Sequence, residues 1–186
     1  APLDWLPAGT VDEVVATIAR PTVAELARRG TPFAGLLYVG LAMTKAGPRV
    51  VEFNARFGDP ETQVVLALLD SSLARLLQAA ATGTLAELPE PRWRDGAAVT
   101  VVIAAAGYPD NPRTDDAIEG AERPGVLHAG TRRDADGVLR SAGGRVLSAT
   151  ATGPTLAEAR DAAYRLVAGI ELPGGQYRTD VARNVG

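Results

Sequence analysis

Between positions 50 and 63 the chain reads VVEFNARFGDPETQ, an apolar head followed by Glu52, Asn54, Arg56, Asp59 and Glu61. A solvated turn needs one or two polar residues, so charges of alternating sign crowded at the end of an apolar run point to a site. Alternate residues of a strand share a side, which makes Glu52 and Asn54 project together and turns Phe53 toward the core. A carboxylate beside an amide carbonyl offers two hard oxygen donors, suited to a magnesium ion that keeps several waters and bridges nucleotide phosphates. Two polar residues on the wet face of a strand end would give the same pattern, because so short a motif recurs by chance. The continuation adds to it. Arg56 carries a planar fork that fits a phosphate or carboxylate, Gly58 lets backbone approach a ligand, and the helix start that follows is an anion site. Asp59 and Glu61 also have a structural reading, as helix cap and first-turn acid.

Such residues need a strand to project from and a helix to follow. GLLYVGLAMT, from Gly35 to Thr44, is an apolar run of strand length; KAGP is a turn and Arg49 to Phe53 a second strand, which predicts a hairpin buried on both strands. Asp59 can cap a helix that Pro60 opens at its first position and that runs through VVLALLD, before Ser71 starts another. Upstream, Thr10 and Glu13 form a capping box for a helix that Pro21 should break, and Thr22 to Arg29 is a second helical piece ending at Gly30. The segment PEPRW after Leu88 reads as a connection, dividing the chain into domains 1–90 and 91–186. Past it, AVTVVIAAAG, VLHAGT and GGRVLSATATG are strands and DADG (Asp134 to Gly137) is a hairpin turn. Thr155 and Glu158 box the start of a helix whose Ala159, Ala163, Leu166, Val167 and Ile170 fall on one face. The expected class is α+β, the second part mostly antiparallel β with one packed helix.

Composition narrows the partners. The 186 residues are 46% hydrophobic and 22% charged, with 19 basic against 22 acidic side chains, which leaves no electrostatic footprint for nucleic acid or an anionic membrane. Cysteine is absent, so disulfides and thiolate metal sites are excluded and any ion must take oxygen ligands. No apolar run is long enough to span a bilayer, and APLDWLPAGT lacks the regions of a signal peptide. A cytoplasmic location is expected, with small molecules rather than membrane or nucleic acid as partners.

The octapeptide RFGDPETQ (Arg56 to Gln63) resembles the signature of the phosphoribosylamine-glycine ligases, also called glycinamide ribonucleotide synthetases, which are ATP-grasp enzymes of purine biosynthesis. FAGLLYVGLAMTKAGPRVVEFN is similar to the two strands that precede that signature. GYP (107–109), HAGT (128–131), GGRVL (143–147) and RTDV (178–181) resemble later landmarks in the same order. The resemblance implies the C-terminal part of an ATP-grasp domain, a hairpin plus helices, followed by a small β-rich domain. It makes Glu52 and Asn54 ligands of magnesium or manganese, and Arg56 the contact to the transferred phosphate or to the glycyl phosphate, with Gly58 and Pro60 lining the nucleotide side. Asp59, Pro60 and Glu61 shape the substrate side. The implied reaction joins glycine to 5-phosphoribosylamine at the expense of ATP. Family members are about twice this long, so the resemblance also implies an N-terminal remainder that carries the phosphoribosylamine domain and the lid. Lys45, the only lysine, sits in the expected hairpin turn, so another donor must serve the phosphates.

Other features invite blander readings. His128, the lone histidine, is expected to make a structural hydrogen bond, since the implied reaction calls for no base there. Gly143 and Gly144 could form an anion nest with Arg145, but a strand entry or bulge is the simpler reading. Asp115 and Asp116 are expected to be solvated. Two alternatives stand beside the leading one: another ATP-grasp carboxylate-amine ligase, because E-x-N is widely shared, and a non-catalytic subunit that completes a site with a separate chain.

Overall fold

The structure, a computed structural model, describes residues 1–3 and 5–183. The chain forms two compact units, one comprising Leu3–Thr62 and Leu69–Trp93, the other Ala1–Pro2, Gln63–Leu68 and Arg94–Gly186.

In the first unit, helix α1 (Thr10–Val14), a π turn (Val15–Ala19) and helix α2 (Arg20–Arg28) follow one another without a gap, so Pro21 does not break the helix as expected. Pro21 lies in the first turn of α2, directly behind the wider π turn. There its missing N–H and its ring conflict least with the preceding turn. The expected capping box is also absent. Gly9, at φ 83°, is the N-cap, and Thr10 lies inside the helix with its hydroxyl donating backward to Pro7 O at 2.7 Å.

Strands β1 (Tyr38–Thr44) and β2 (Gly47–Asn54) pair antiparallel, with Tyr38 opposite Asn54 and Gly40 opposite Glu52. Thr44 closes the turn, its hydroxyl donating to Gly47 O and accepting from Ala46 N. The expected burial of both strands does not hold: Val51 is 70% exposed, and Met43, Val50 and Phe53 are between 41% and 43% exposed. Phe53 therefore faces no core. A two-stranded ladder has two faces to cover, and the only fully buried apolar side chain among the described residues of this unit is Ala79.

Helix α3 (Glu61–Leu68) begins one residue later than the position expected for Pro60. In α4 (Leu73–Thr82) the cap is Ser72, which accepts from Arg75 N, while Ser71 accepts from Arg92 N in the returning PEPRW segment.

The second unit holds the core. Strands β3 (Ala97–Ala104), β4 (Val126–His128) and β7 (Arg145–Gly153) form an antiparallel sheet in the order β3-β7-β4. Val99, Val101, Ile103, Val146 and Leu147 pack with Ala159, Ala163 and Val167 of helix α5 (Leu156–Ala168). The alanines on the helix face let it lie close on the sheet. Thr155 caps α5 as expected, accepting from Glu158 N at 3.2 Å.

VLHAGT is not one strand. Its end belongs to β5 (Thr131–Arg133), which pairs with β6 (Leu139–Ser141) in a separate hairpin. Gly130 causes the switch: its backbone packs so close to Gly143 and Arg145 O that an added Cβ would lie 2.9 and 2.8 Å from them. Asp134 anchors the DADG turn by accepting from Asp136 N and Val138 N, and Arg140 beside it holds its carboxyl below the ordinary carboxylate range. Asp115 and Asp116, expected to be merely solvated, are ion-paired with Arg132 and Arg113 respectively. Arginine is the prevalent cation of this chain, and both partners come within reach when the loop folds back along β6.

Candidate active site

The charged stretch is held between the open end of the hairpin and the start of α3. Glu52 and Asn54 lie on one face of β2, as period-two spacing requires, and Asn54 Nδ2 donates to Glu52 Oε1 at 2.8 Å. That bond ties the two side chains together and leaves Glu52 Oε2 and Asn54 Oδ1 as oxygen donors. The exposed Arg56 folds back so that Nη1 donates to Phe57 O at 2.8 Å. Asp59 and Pro60 are half-buried in the turn just ahead of α3. Glu61 is the first residue of that helix, where the amide dipoles favour a carboxylate.

Two residues of β1 that sequence reasoning passed over complete the arrangement. The Tyr38 hydroxyl donates to Glu61 Oε1 at 3.2 Å. Gly40, buried beneath it, makes room: a Cβ there would lie 3.1 Å from Glu52 Cγ and 3.4 Å from Tyr38 Cε1. Gly58 is tighter still, since its Cβ would fall 2.7 Å from Glu61 Oε2 and 2.8 Å from Tyr38 Cε2. Burial pushes the Tyr38 phenol above its ordinary range, and the negative charges of Glu61 and Glu52 push the same way against the opposing cation of Arg56. Those effects show that Glu52, Arg56 and Glu61 all lie within electrostatic range of one phenol. The sequence offers only a polar-tipped aromatic and a glycine two residues apart in an otherwise apolar strand, which does not tell what they face.

Elsewhere, His128 Nδ1 lies 3.1 Å from Thr131 Oγ1, the structural contact expected of it. Gly143 and Gly144 enter β7 as anticipated. The backbone of Gly144 is pressed against the Tyr108 ring, where an added Cβ would come within 2.5 Å of Cδ2. Among the described residues no three His, Asp or Glu side chains converge as a metal site, and no helix is long and apolar enough to cross a membrane.

Comparison with known proteins gives this geometry a context. The family model described as phosphoribosylglycinamide synthetase, ATP-grasp (A) domain, matches residues 1–62, and the one described as phosphoribosylglycinamide synthetase, C domain, matches residues 98–184. The chain belongs to the phosphoribosylglycinamide synthetase family. Its fold is the α+β class expected, the last part of an ATP-grasp domain followed by a small β-rich domain with one packed helix.

Among relatives of this synthetase chain, the phosphoribosylamine-glycine ligase of Mycobacterium bovis is 60% identical over 181 residues, covering 97% of the chain and 43% of that protein. The Streptomyces coelicolor ligase is 60% identical over 190 residues, covering 98% and 45%. The crystal structure of the Thermotoga maritima ligase superimposes with a TM-score of 0.82 at 35% identity, over 94% of this chain and 44% of that one. The biotin carboxylase domain of a thermophilic 2-oxoglutarate carboxylase, at 13% identity and a TM-score of 0.65, shares the fold alone. The chain thus spans less than half the length of the ligases it matches.

Proposed function

We propose that the chain is the C-terminal portion of a phosphoribosylamine-glycine ligase, an ATP-dependent enzyme that forms a carbon–nitrogen bond in purine biosynthesis. The observation that carries this reading is the Glu52–Asn54 pair on one strand face, hydrogen-bonded at 2.8 Å and followed at once by Arg56, Gly58 and Glu61, in a chain of this family. The substrates are ATP, glycine and 5-phosphoribosylamine, and the N-terminal remainder of the enzyme is the partner that completes the site. The domains divide at 90/91, which the change of compact unit at Trp93/Arg94 supports. A cytoplasmic location accords with that pathway.

The donor set fits magnesium or manganese. Glu52 Oε2 and Asn54 Oδ1 are hard oxygens, and two protein ligands suffice for an ion that takes the rest of its shell from water and phosphate. When bound, such an ion neutralises charge on the ATP phosphates. The chain's own residues orient and hold charge. The fork of Arg56 is assigned to the transferred phosphate, which moves from ATP to a glycine carboxylate oxygen as ADP departs. The amine of phosphoribosylamine then attacks the acyl carbon, phosphate leaves, and the amine loses a proton. Nothing in that sequence requires a protein nucleophile, in keeping with a cysteine-free chain. Asp59 and Glu61 lie on the substrate side, with Gly58 and Pro60 toward the nucleotide.

The test is glycine-dependent ADP release by the full-length protein in the presence of phosphoribosylamine, with and without magnesium. Absence of release, or release that ignores glycine, would overturn the reading.

A further inference from the structure

Tyr38 links the hairpin to the first turn of α3 through a polar contact at the site. It stands opposite Asn54 in the strand register, so both side chains project from the same face, and Gly40, two residues on, stands opposite Glu52. The small Gly40 lets the Tyr38 ring and the Glu52 side chain lie side by side, within 3.4 and 3.1 Å of where a Cβ would be. The ring then covers Gly58, and its hydroxyl meets Glu61 Oε1 at 3.2 Å, while Glu61 Oε2 is directed over Gly58.

Two features separate this from ordinary packing. A glutamate at an exposed helix start has three rotatable side-chain bonds and would wander, and ordering it costs rotamer entropy. Here one oxygen is tethered and the other lies over Gly58, where an added Cβ would come within 2.7 Å of it. The tether is also uncharged. An arginine or lysine at position 38 would pin Glu61 equally well, but would cancel the negative charge that Glu52 and Glu61 together maintain at this face.

We propose that Tyr38 is a positioning residue: its hydroxyl fixes the Glu61 carboxylate over Gly58, so that Glu61 and the Glu52–Asn54 pair address one substrate space. The proposal rests on the ligase reading above and deepens it.

The test compares wild type, Tyr38→Phe, Glu61→Ala and the double variant in the full-length ligase. Phenylalanine keeps the ring over Gly40 and Gly58, so the fold should persist and the melting temperature should stay near wild type. Tyr38→Phe is expected to lower kcat/KM for glycine about tenfold while leaving KM for ATP within about twofold, and to change little when added to Glu61→Ala. Losses that simply multiply in the double variant, or equal losses for glycine and ATP, overturn the positioning role. A second readout does not depend on turnover: the Glu61 side-chain carboxyl 13C resonance, identified by its disappearance in Glu61→Ala, should shift in Tyr38→Phe. An unmoved resonance overturns the contact itself. A wild type that releases no ADP fails the ligase reading instead, and the resonance then decides the contact alone.

Discussion

Glu52 and Asn54 each spend one polar atom on the other, and what remains is one oxygen apiece. That economy makes the pair sensitive to loss of either partner. Glu52→Ala in the full-length ligase should cut turnover at limiting magnesium by about a hundredfold or more, because it removes charge at the phosphates. The far-UV spectrum should stay unchanged, since Glu52 is exposed and contributes no core packing. A near-normal rate at limiting magnesium would show that the pair is not a metal site. Arg56 should resist replacement by lysine. Its guanidinium is exposed and donates to the neighbouring Phe57 carbonyl at 2.8 Å, so its fork can be redirected to phosphate, and an ammonium cannot supply two parallel bonds. Arg56→Lys should cost about 1 to 3 kcal/mol of transition-state stabilisation, read from kcat/KM; unchanged kinetics would remove Arg56 from the site. At this scale the sequence was legible wherever spacing along one strand decides the answer. Glu52 and Asn54 share a face because the period is two. Tyr38 was not legible, because its role depends on which residue of β2 stands opposite it and on where α3 starts.

Elements in the two units were legible to different degrees, and burial explains why. Helix α5 was read correctly down to its Thr155 cap because local signals and tertiary packing agree: the one-face alanines find the sheet. The expectation of a buried hairpin failed for the opposite reason. Apolar content fixes which residues seek burial but not what covers them, and in this unit large apolar side chains such as Trp5, Val51, Phe53 and Trp93 stay exposed. The Pro21 and Thr10 expectations failed locally, since a π turn accommodates the proline and a left-handed Gly9 replaces the hydroxyl cap. Substitutions should follow the same division. Leu147→Ala, at a fully buried position of β7, should destabilise by about 2 to 5 kcal/mol. Val51→Ala, 70% exposed on β2, should change the stability of the isolated chain by less than about 0.5 kcal/mol. Amide protection of β3 and β7 reads the first, and protection of β1 and β2 reads the second. A comparable loss at both positions would mean that the hairpin is covered in the isolated chain.

For the molecule as a whole, the buried core and the proposed site fall in different units. The fully buried apolar residues belong almost entirely to the unit of β3, β7 and α5, whereas Glu52, Asn54, Arg56 and Glu61 belong to the unit whose hairpin is open to solvent. Charges proposed to act in a closed, low-dielectric pocket are screened when water has access to them. The isolated 186-residue chain should therefore fail to catalyse the ligation despite carrying the family signature. Its exposed apolar side chains, Trp5, Met43, Val51 and Phe53 among them, should favour self-association. Native-state hydrogen exchange separates the two contributions. Amides of β3 and β7 should exchange only through global unfolding, and those of β1 and β2 much faster, through local opening. Adding the N-terminal remainder of the ligase in trans should protect the hairpin amides, leave those of β7 unchanged, and restore glycine-dependent ADP release. If the hairpin is already as protected as β7 in the chain alone, or if the chain alone turns over like a complete ligase, then the site is closed within these residues and the division of labour between the units is wrong.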